Sequence, residues 1–228
     1  MGYSVHITGI TNPTMMDGSG KRLTASEYLS YVARISNPEN EKKFETAPKL
    51  INYLMDNEHW SPFEMINIVM EIKTTRDIAR QILRHRSFSF QEFSQRYADP
   101  TMLGMVQRET RLQDPKNRQS SIELNDPHFQ NETARAWRMK QDQLIHETQL
   151  AYKWAIENGI AKEQARAVLP EGMQMSRMHM NGTLRSWMHY VKLRCGNGTQ
   201  KEHQQVAREC KRVLAANVPV IKEWLDEI

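Results

Sequence analysis

Cysteine is nearly missing from this chain. Its 228 residues hold only Cys195 and Cys210, too few for a disulfide framework, and no Cys/His spacing suggests a zinc site, so no metal is expected. No apolar run approaches the ~20 residues that span a bilayer, and the N-terminus lacks the apolar core of a signal peptide. Internal repeats, low-complexity tracts and dividing linkers are absent too. These absences argue against a secreted disulfide scaffold, a membrane span and a repeat array. They leave a cytoplasmic protein with one domain over residues 1–228, a length that can bury a full core. What the chain does have is an excess of base, a net charge of +4 with a pI near 9.0, which suits an anionic ligand.

Periodicity and capping signals divide the chain into helices and a few strands. Thr24 with Glu27 forms a capping box that opens a helix through about Ser36, ended by Asn37-Pro38. A second helix is expected from Ala47 to Asn57. Ile66 to Lys73 alternates as a strand does, Met105 to Leu112 suggests another, and Met173 to Met180 alternates methionine with polar residues. Those methionines read as core. Gln113 to Asp126 reads as a polar loop, and Asp126-Pro127 as the start of a helix reaching Asn158-Gly159. Thr199 with Glu202 marks a capping box for a last helix that fades near Asn217. Helices and strands that do not alternate as βαβ units predict an α+β fold, with a small, mostly antiparallel sheet flanked by helices.

The most informative stretch runs from Arg84 to Tyr97, RHRSFSFQEFSQRY. It follows a helical segment in which Arg76, Arg80 and Arg84 recur every fourth residue and so share one face. Stacked like charges cost a few tenths of a kcal/mol per pair unless an anion lies opposite. The guanidinium fork is well shaped to grip phosphate or a planar polar ring edge. A solvated basic face followed by a buried aromatic strand is the plainer reading of such a cluster. Glu92, Ser94 and Arg96 alternate, so an extended chain would turn all three to one side.

This stretch resembles the signature of the flavin-dependent thymidylate synthases. In that family Arg-His-Arg is followed after seven residues by Ser, with Glu two positions before the Ser and Arg-Tyr two after it. Arg84, His85, Arg86, Glu92, Ser94, Arg96 and Tyr97 fill those places. Two departures stand out: Gln91 where the family usually has Asn, and Met65 where it commonly has a second His.

Three further blocks occur in the family's order, from His59 to about Glu202. HWSPFE, His59–Glu64, resembles a family segment that implies flavin and folate contacts from His59 and Ser61. QARAVLP places Arg166 before Leu169-Pro170, where the family has a nucleotide-binding arginine; a salt bridge is the ordinary alternative. In NGTLRSWMHYVKLR, Leu184, Trp187, Met188 and Val191 form an apolar helical stripe, with Arg185, His189 and Lys192 on another face. An amphipathic helix explains that pattern by itself. The resemblance adds flavin contacts from Thr183, Leu184, Arg185 and His189, and a uracil contact from Arg194.

What the resemblance implies is the reductive methylation of dUMP to dTMP. Methylenetetrahydrofolate is the carbon donor, FAD reduced by NADPH supplies the hydride, and the enzyme is a homotetramer with active sites shared between subunits. It implies Gln81, Arg84, Glu92, Phe93, Ser94, Gln95, Arg96, Arg166 and Arg194 for the nucleotide. For FAD it implies Ser61, Arg84, His85, Arg86, Glu92, Thr183, Leu184, Arg185 and His189. Arg194 takes the catalytic role. An arginine stays protonated to pH ~12 and beyond, so it cannot be the base and acts by stabilising the uracil anion. Ser94 has no adjacent base to activate it as a nucleophile. A cysteine nucleophile at Cys195 is disfavoured, since neighbours on a helix point ~100° apart. Two other classes remain: a single-strand binder stacking bases on Phe88, Phe90, Phe93 and Tyr97, and a flavin-binding relative without turnover.

Overall fold

Alternation of Ile68, Met70 and Ile72, all fully buried, with the more exposed Val69, Glu71 and Lys73 builds an inner strand of the larger sheet. The computed structural model describes residues 2–124 and 132–228. In chain order the elements are β1 (Ser4–Ile10), α1 (Ala25–Ala33), α2 (Ala47–Asp56), β2 (Asn67–Thr75), α3 (Arg76–Ile82), β3 (Ser89–Glu92), β4 (Arg111–Gln113) and β5 (Ser121–Glu123). There follow α4 (Glu132–Glu157), α5 (Lys162–Ala165), β6 (Met175–Thr183), α6 (Leu184–Arg194), α7 (Lys201–Asn217) and α8 (Lys222–Asp226). The larger sheet has the order β1-β2-β6-β3, and β4 and β5 form a separate antiparallel pair. The fold is α+β, as expected.

The chain divides into two compact units. Unit 1 holds Met1–Tyr3, Lys73–Arg84 and Gln91–Met178; unit 2 holds Ser4–Ile72, His85–Phe90 and His179–Ile228. Strands β2, β3 and β6 each begin in one unit and end in the other.

In unit 2 the Thr24–Glu27 capping box forms in full, and α1 ends at Ala33, short of Ser36. The predicted stripe of α6 is buried: Leu184, Trp187, Met188 and Val191 are each at most 1 % exposed. Trp187 gives its indole N–H to the Ile68 carbonyl at 3.0 Å, so its one polar atom is satisfied in the core. The expected cap at Thr199 does not form. Gln200 is the N-cap of α7, and its side-chain amide occupies Glu202, the carboxylate a capping box would need.

In unit 1 the methionine strand is present as β6 and the start of its core is buried at Met173 and Met178. Two expectations fail. Met105 makes only an isolated bridge to Gln174, and regular pairing begins at Arg111. The Gln113–Asp126 segment is no plain loop, because β4 and β5 pair from Arg111–Glu123 to Gln113–Ser121. Only the exposed Leu112–Ile122 pair is apolar in this hairpin, which is held by backbone bonds and by Gln113 bonding the carbonyls of Asp114, Asn117 and Ser120. The Asp126-Pro127 helix start lies outside the described residues; the helix itself runs from Glu132 to Glu157. No helix among the described residues is long and apolar enough to cross a membrane.

Candidate active site

Unit 1 gathers arginines around carboxylates. Strand β2 runs straight into α3, and the first helical residue, Arg76, is buried with a side chain only 8 % exposed. Its guanidinium meets Glu92 at 3.4 Å and Glu171 at 3.8 Å. Arg80, one turn on, meets the same two carboxylates at 3.4 and 3.5 Å. Glu92 also accepts the Ser176 hydroxyl at 2.7 Å. Burial pushes the Arg76 guanidinium down, and the Glu92 charge opposes that shift. The opposed anions that the arginine spacing called for are therefore Glu92 and Glu171. The shared face stops at Arg80, because the helix ends at Ile82 and Arg84 lies past its cap.

Behind this cluster Arg108 ties the start of α3 in place. It donates to Asp77, to the Thr75 hydroxyl at 2.6 Å and to the Gly172 carbonyl at 2.7 Å. The chain leaves β3 after Glu92 and turns, with the amides of Tyr97 and Ala98 both donating to the Ser94 carbonyl. The alternation of Glu92, Ser94 and Arg96 is therefore broken at Ser94, and Arg96 reaches Glu163 at 3.2 Å instead. Gln95 is buried, yet its side-chain N–H group has no partner among the described residues. Such an orphan donor is costly unless a ligand accepts from it. Arg166 bonds only the Glu163 carbonyl, at 3.3 Å, so the alternative of a salt bridge is not realised among the described residues. Arg84 is exposed and makes no side-chain bond among the described residues.

Unit 2 holds the other predicted residues. Thr183 caps α6, its hydroxyl accepting the Ser186 amide at 3.2 Å. The Leu184 amide goes to the Ile66 carbonyl at 2.7 Å. Two first-turn donors of α6 are thus already engaged. Arg185 pairs with Glu64, and exposed Arg86 makes no side-chain bond among the described residues. His189 is exposed and sits edge-on to Trp60 at 5.1 Å. Burial, then the charges of Arg185 and Lys192, hold it below the usual imidazole range, so it is neutral at pH 7. His59 and Ser61 are exposed, His59 edge-on to Tyr53. Gly182, beside Thr183, has no room for a side chain, since a Cβ there would lie 2.4 Å from the Phe88 ring.

Arg194 is fixed differently from the arginines of unit 1. Its Nε–H goes to Nε2 of His85 at 2.9 Å, and no carboxylate pairs with it among the described residues. The two cysteines are poor nucleophiles. Burial raises the Cys195 thiol despite Lys211 and Arg208, and raises fully buried Cys210 much further. Phe88 is buried against Trp187, so the four aromatics of the signature do not form an exposed stacking platform.

The expected residues thus fall into two sets. Gln81, Arg84, Glu92, Phe93, Ser94, Gln95, Arg96 and Arg166 belong to unit 1. His59, Ser61, His85, Arg86, Thr183, Leu184, Arg185, His189 and Arg194 belong to unit 2. Missed in the sequence were Glu171, Ser176, Glu64 and Trp60, which orient the named residues. Trp60 and Glu64 lie inside the HWSPFE block and Glu171 directly follows QARAVLP, whereas no block marks Ser176.

An α+β fold that presents guanidinium groups, some spoken for and some open, suits anionic ligands. Comparison with known proteins gives the family. The model of the family described as "Thymidylate synthase complementing protein" matches residues 15–220. The probable flavin-dependent thymidylate synthase of Paramecium bursaria Chlorella virus 1 is 42% identical over 98% of this chain and 99% of its own. The flavin-dependent thymidylate synthase of Synechocystis sp. is 38% identical over 97% of this chain and 99% of its own. Among solved structures, a UMP/dUMP methylase PolB from Streptomyces cacaoi, bound with 5-Br dUMP, superposes with a TM-score of 0.75 at 22% identity. That match covers 99% of this chain and 95% of the other and shows a shared fold. The chain belongs to the flavin-dependent thymidylate synthase family.

Proposed function

We propose that residues 1–228 act as one catalytic domain, an FAD-dependent thymidylate synthase that methylates dUMP at C5 to give dTMP. Methylenetetrahydrofolate is the carbon donor and NADPH the reductant, and the bound FAD supplies the hydride. The observation that carries this reading is the full-length likeness to flavin-dependent thymidylate synthases, joined to open cations where their signature falls.

The residues present fit the two anionic ligands. Arg84, Arg96 and Arg166 hold the nucleotide phosphate, with Arg84 and Arg166 free of carboxylates among the described residues. Arg96 exchanges Glu163 for phosphate, which suits a pair that is more than half exposed on the arginine side. Gln81, Phe93, Ser94 and the orphan donor of Gln95 complete the nucleotide set, with Glu92 held in place by Arg76, Arg80 and Ser176. For FAD, Arg84, Arg86 and Arg185 offer charge to the diphosphate, and His189 and Ser61 offer neutral polar contacts. Thr183, Leu184, His85 and Glu92 complete the set proposed for FAD, and His59 is proposed to meet flavin and folate. Because the amides of Leu184 and Ser186 are engaged, cationic side chains and not the helix start dominate the fit.

Arg194 supports negative charge on the uracil ring, making C5 a usable carbon nucleophile. No thiol of this chain adds to the ring, in keeping with the raised Cys195 and Cys210. The assembly we propose is a homotetramer with shared active sites in the cytoplasm, or the host cytoplasm for a viral protein. Supporting it are Trp137, Leu144, Leu150 and Trp154, large apolar side chains left exposed along α4.

An absorption spectrum of the purified protein tests the cofactor. A preparation that stays colourless and takes up no FAD at ~100 µM, generous against ordinary cofactor affinities, would remove the reading. A yellow protein without dUMP-dependent NADPH oxidation would be a flavin-binding relative lacking turnover.

A further inference from the structure

Behind Arg194, unit 2 buries polar groups to which the proposed reaction gives no task. His85 accepts the Arg194 Nε–H through Nε2, so this nitrogen carries a lone pair and the ring proton sits on Nδ1. With Nε engaged, the two terminal amino groups of Arg194 remain as a planar pair of donors. The His85 ring stands edge-on to Tyr190, with centroids 4.9 Å apart and planes at 78°, and perpendicular to His203 at 6.4 Å and 89°. Tyr190 on α6 and His203 on α7 are joined by a 3.1 Å hydrogen bond between hydroxyl and Nε2. They are 1 % and 0 % exposed.

An apolar pair of similar size would fill this helix contact without removing a hydroxyl and an imidazole from water. The polar pair therefore sits here at a cost, beside an arginine that no carboxylate anchors among the described residues. Both partners are neutral. Burial, with the charge of Arg194 behind it, holds His203 at about 3, and burial drives the Tyr190 phenol well up. Neither adds a charge that would compete with the guanidinium.

We infer that Tyr190 and His203 are positioning residues for the methylation step. Their hydrogen bond sets the tilt of the Tyr190 ring, that ring sets the plane of His85, and His85 aims the donor pair of Arg194. The inference rests on the assignment of Arg194 to the uracil edge.

The test uses FAD-loaded enzyme carrying Tyr190→Phe, His203→Leu or His203→Gln. Tyr190→Phe removes one oxygen and keeps the ring, so it should lower kcat by about tenfold or more while KM for dUMP stays within about twofold, the split expected of a transition-state effect. His203→Gln keeps a polar partner for the hydroxyl and should recover much of the turnover lost in His203→Leu. A nitrogen-15 spectrum of the resting enzyme should show the His85 Nδ1–H tautomer in wild type and its loss or broadening in Tyr190→Phe. Wild-type turnover in Tyr190→Phe, or equal losses in the two His203 variants, would overturn the positioning role. Failure of the wild-type enzyme to methylate dUMP would instead sink the underlying reading, and the tautomer measurement would still report on the relay.

Discussion

Arg76 and Arg80 of unit 1 and Arg194 of unit 2 are held by opposite means. In unit 1, Arg76 and Arg80 share Glu92 and Glu171, Arg96 meets Glu163, and Arg108 meets Asp77. In unit 2, Arg194 rests on a neutral imidazole. Carboxylates cancel a guanidinium's field and fix its place, which suits scaffolding and phosphate exchange. A neutral acceptor fixes the place and leaves the charge intact, which suits an anion that develops during reaction.

The largest effect expected from this contrast is on folding. Glu92→Ala leaves the buried Arg76 with only Glu171, at 3.8 Å. Breaking a buried pair costs about 3–5 kcal/mol, readable in urea unfolding of the FAD-free protein. A loss under about 1 kcal/mol would mean that the cluster behaves as a surface pair, and the contrast would collapse. Arg194→Lys should instead spare stability and cut kcat by roughly a hundredfold with KM for dUMP little changed, since lysine keeps charge without the planar fork. A raised KM with unchanged turnover would make Arg194 another binding arginine.

Gly182→Ala probes the tightness of unit 2. A methyl 2.4 Å from the Phe88 ring must displace it, at about 1–3 kcal/mol, and a thermal melt within a degree of wild type would show that the ring yields freely. A subtler readout is pH. His203 titrates at about 3 in the folded protein against about 6.5 unfolded. Its folded value is depressed, so the unfolded chain alone takes up this proton as pH falls below 6.5, and stability declines until about 3. The slope reaches ~1.4 kcal/mol per pH unit, and His203→Gln should flatten it between pH 6 and 4. Smallest of all, replacing Cys195 and Cys210 together by Ala or Ser should leave dTMP formation within a few-fold of wild type, the few-fold margin allowing for buried Cys210. Inactivity in a folded, FAD-loaded double variant would reinstate covalent catalysis.

Local signals were legible where burial and period coincide. The Thr24 cap, the Ile68–Ile72 alternation and the Leu184–Val191 stripe all follow from side chains choosing between water and core. The hairpin at Arg111–Glu123 escaped because its strands are short, only the Leu112–Ile122 pair is apolar and that pair stays exposed, so its pairing is a backbone matter. The turn at Ser94 escaped because alternation of charge looks the same in a strand and in a bend. At the site, the residue types were readable from the signature, but their partners were not. Ser176 lies 84 positions from Glu92 and His85 lies 109 from Arg194, and nothing local announces such pairs.

The tryptophans are apportioned between the units in a way an optical experiment can use. Trp137 and Trp154 lie exposed on α4 in unit 1, whereas unit 2 holds fully buried Trp187 and the Trp60–Trp224 pair, 5.9 Å apart. Indole emission shifts to the red in water, so the first two form a long-wavelength population open to iodide and the others a shielded, bluer one. Under the proposed assembly through α4, association of chains would make the quenchable part of the signal fade. A chromophore bound near Trp60 and His189 would dim the shielded part by energy transfer. One fluorescence titration would therefore follow assembly and cofactor loading as two separate colours.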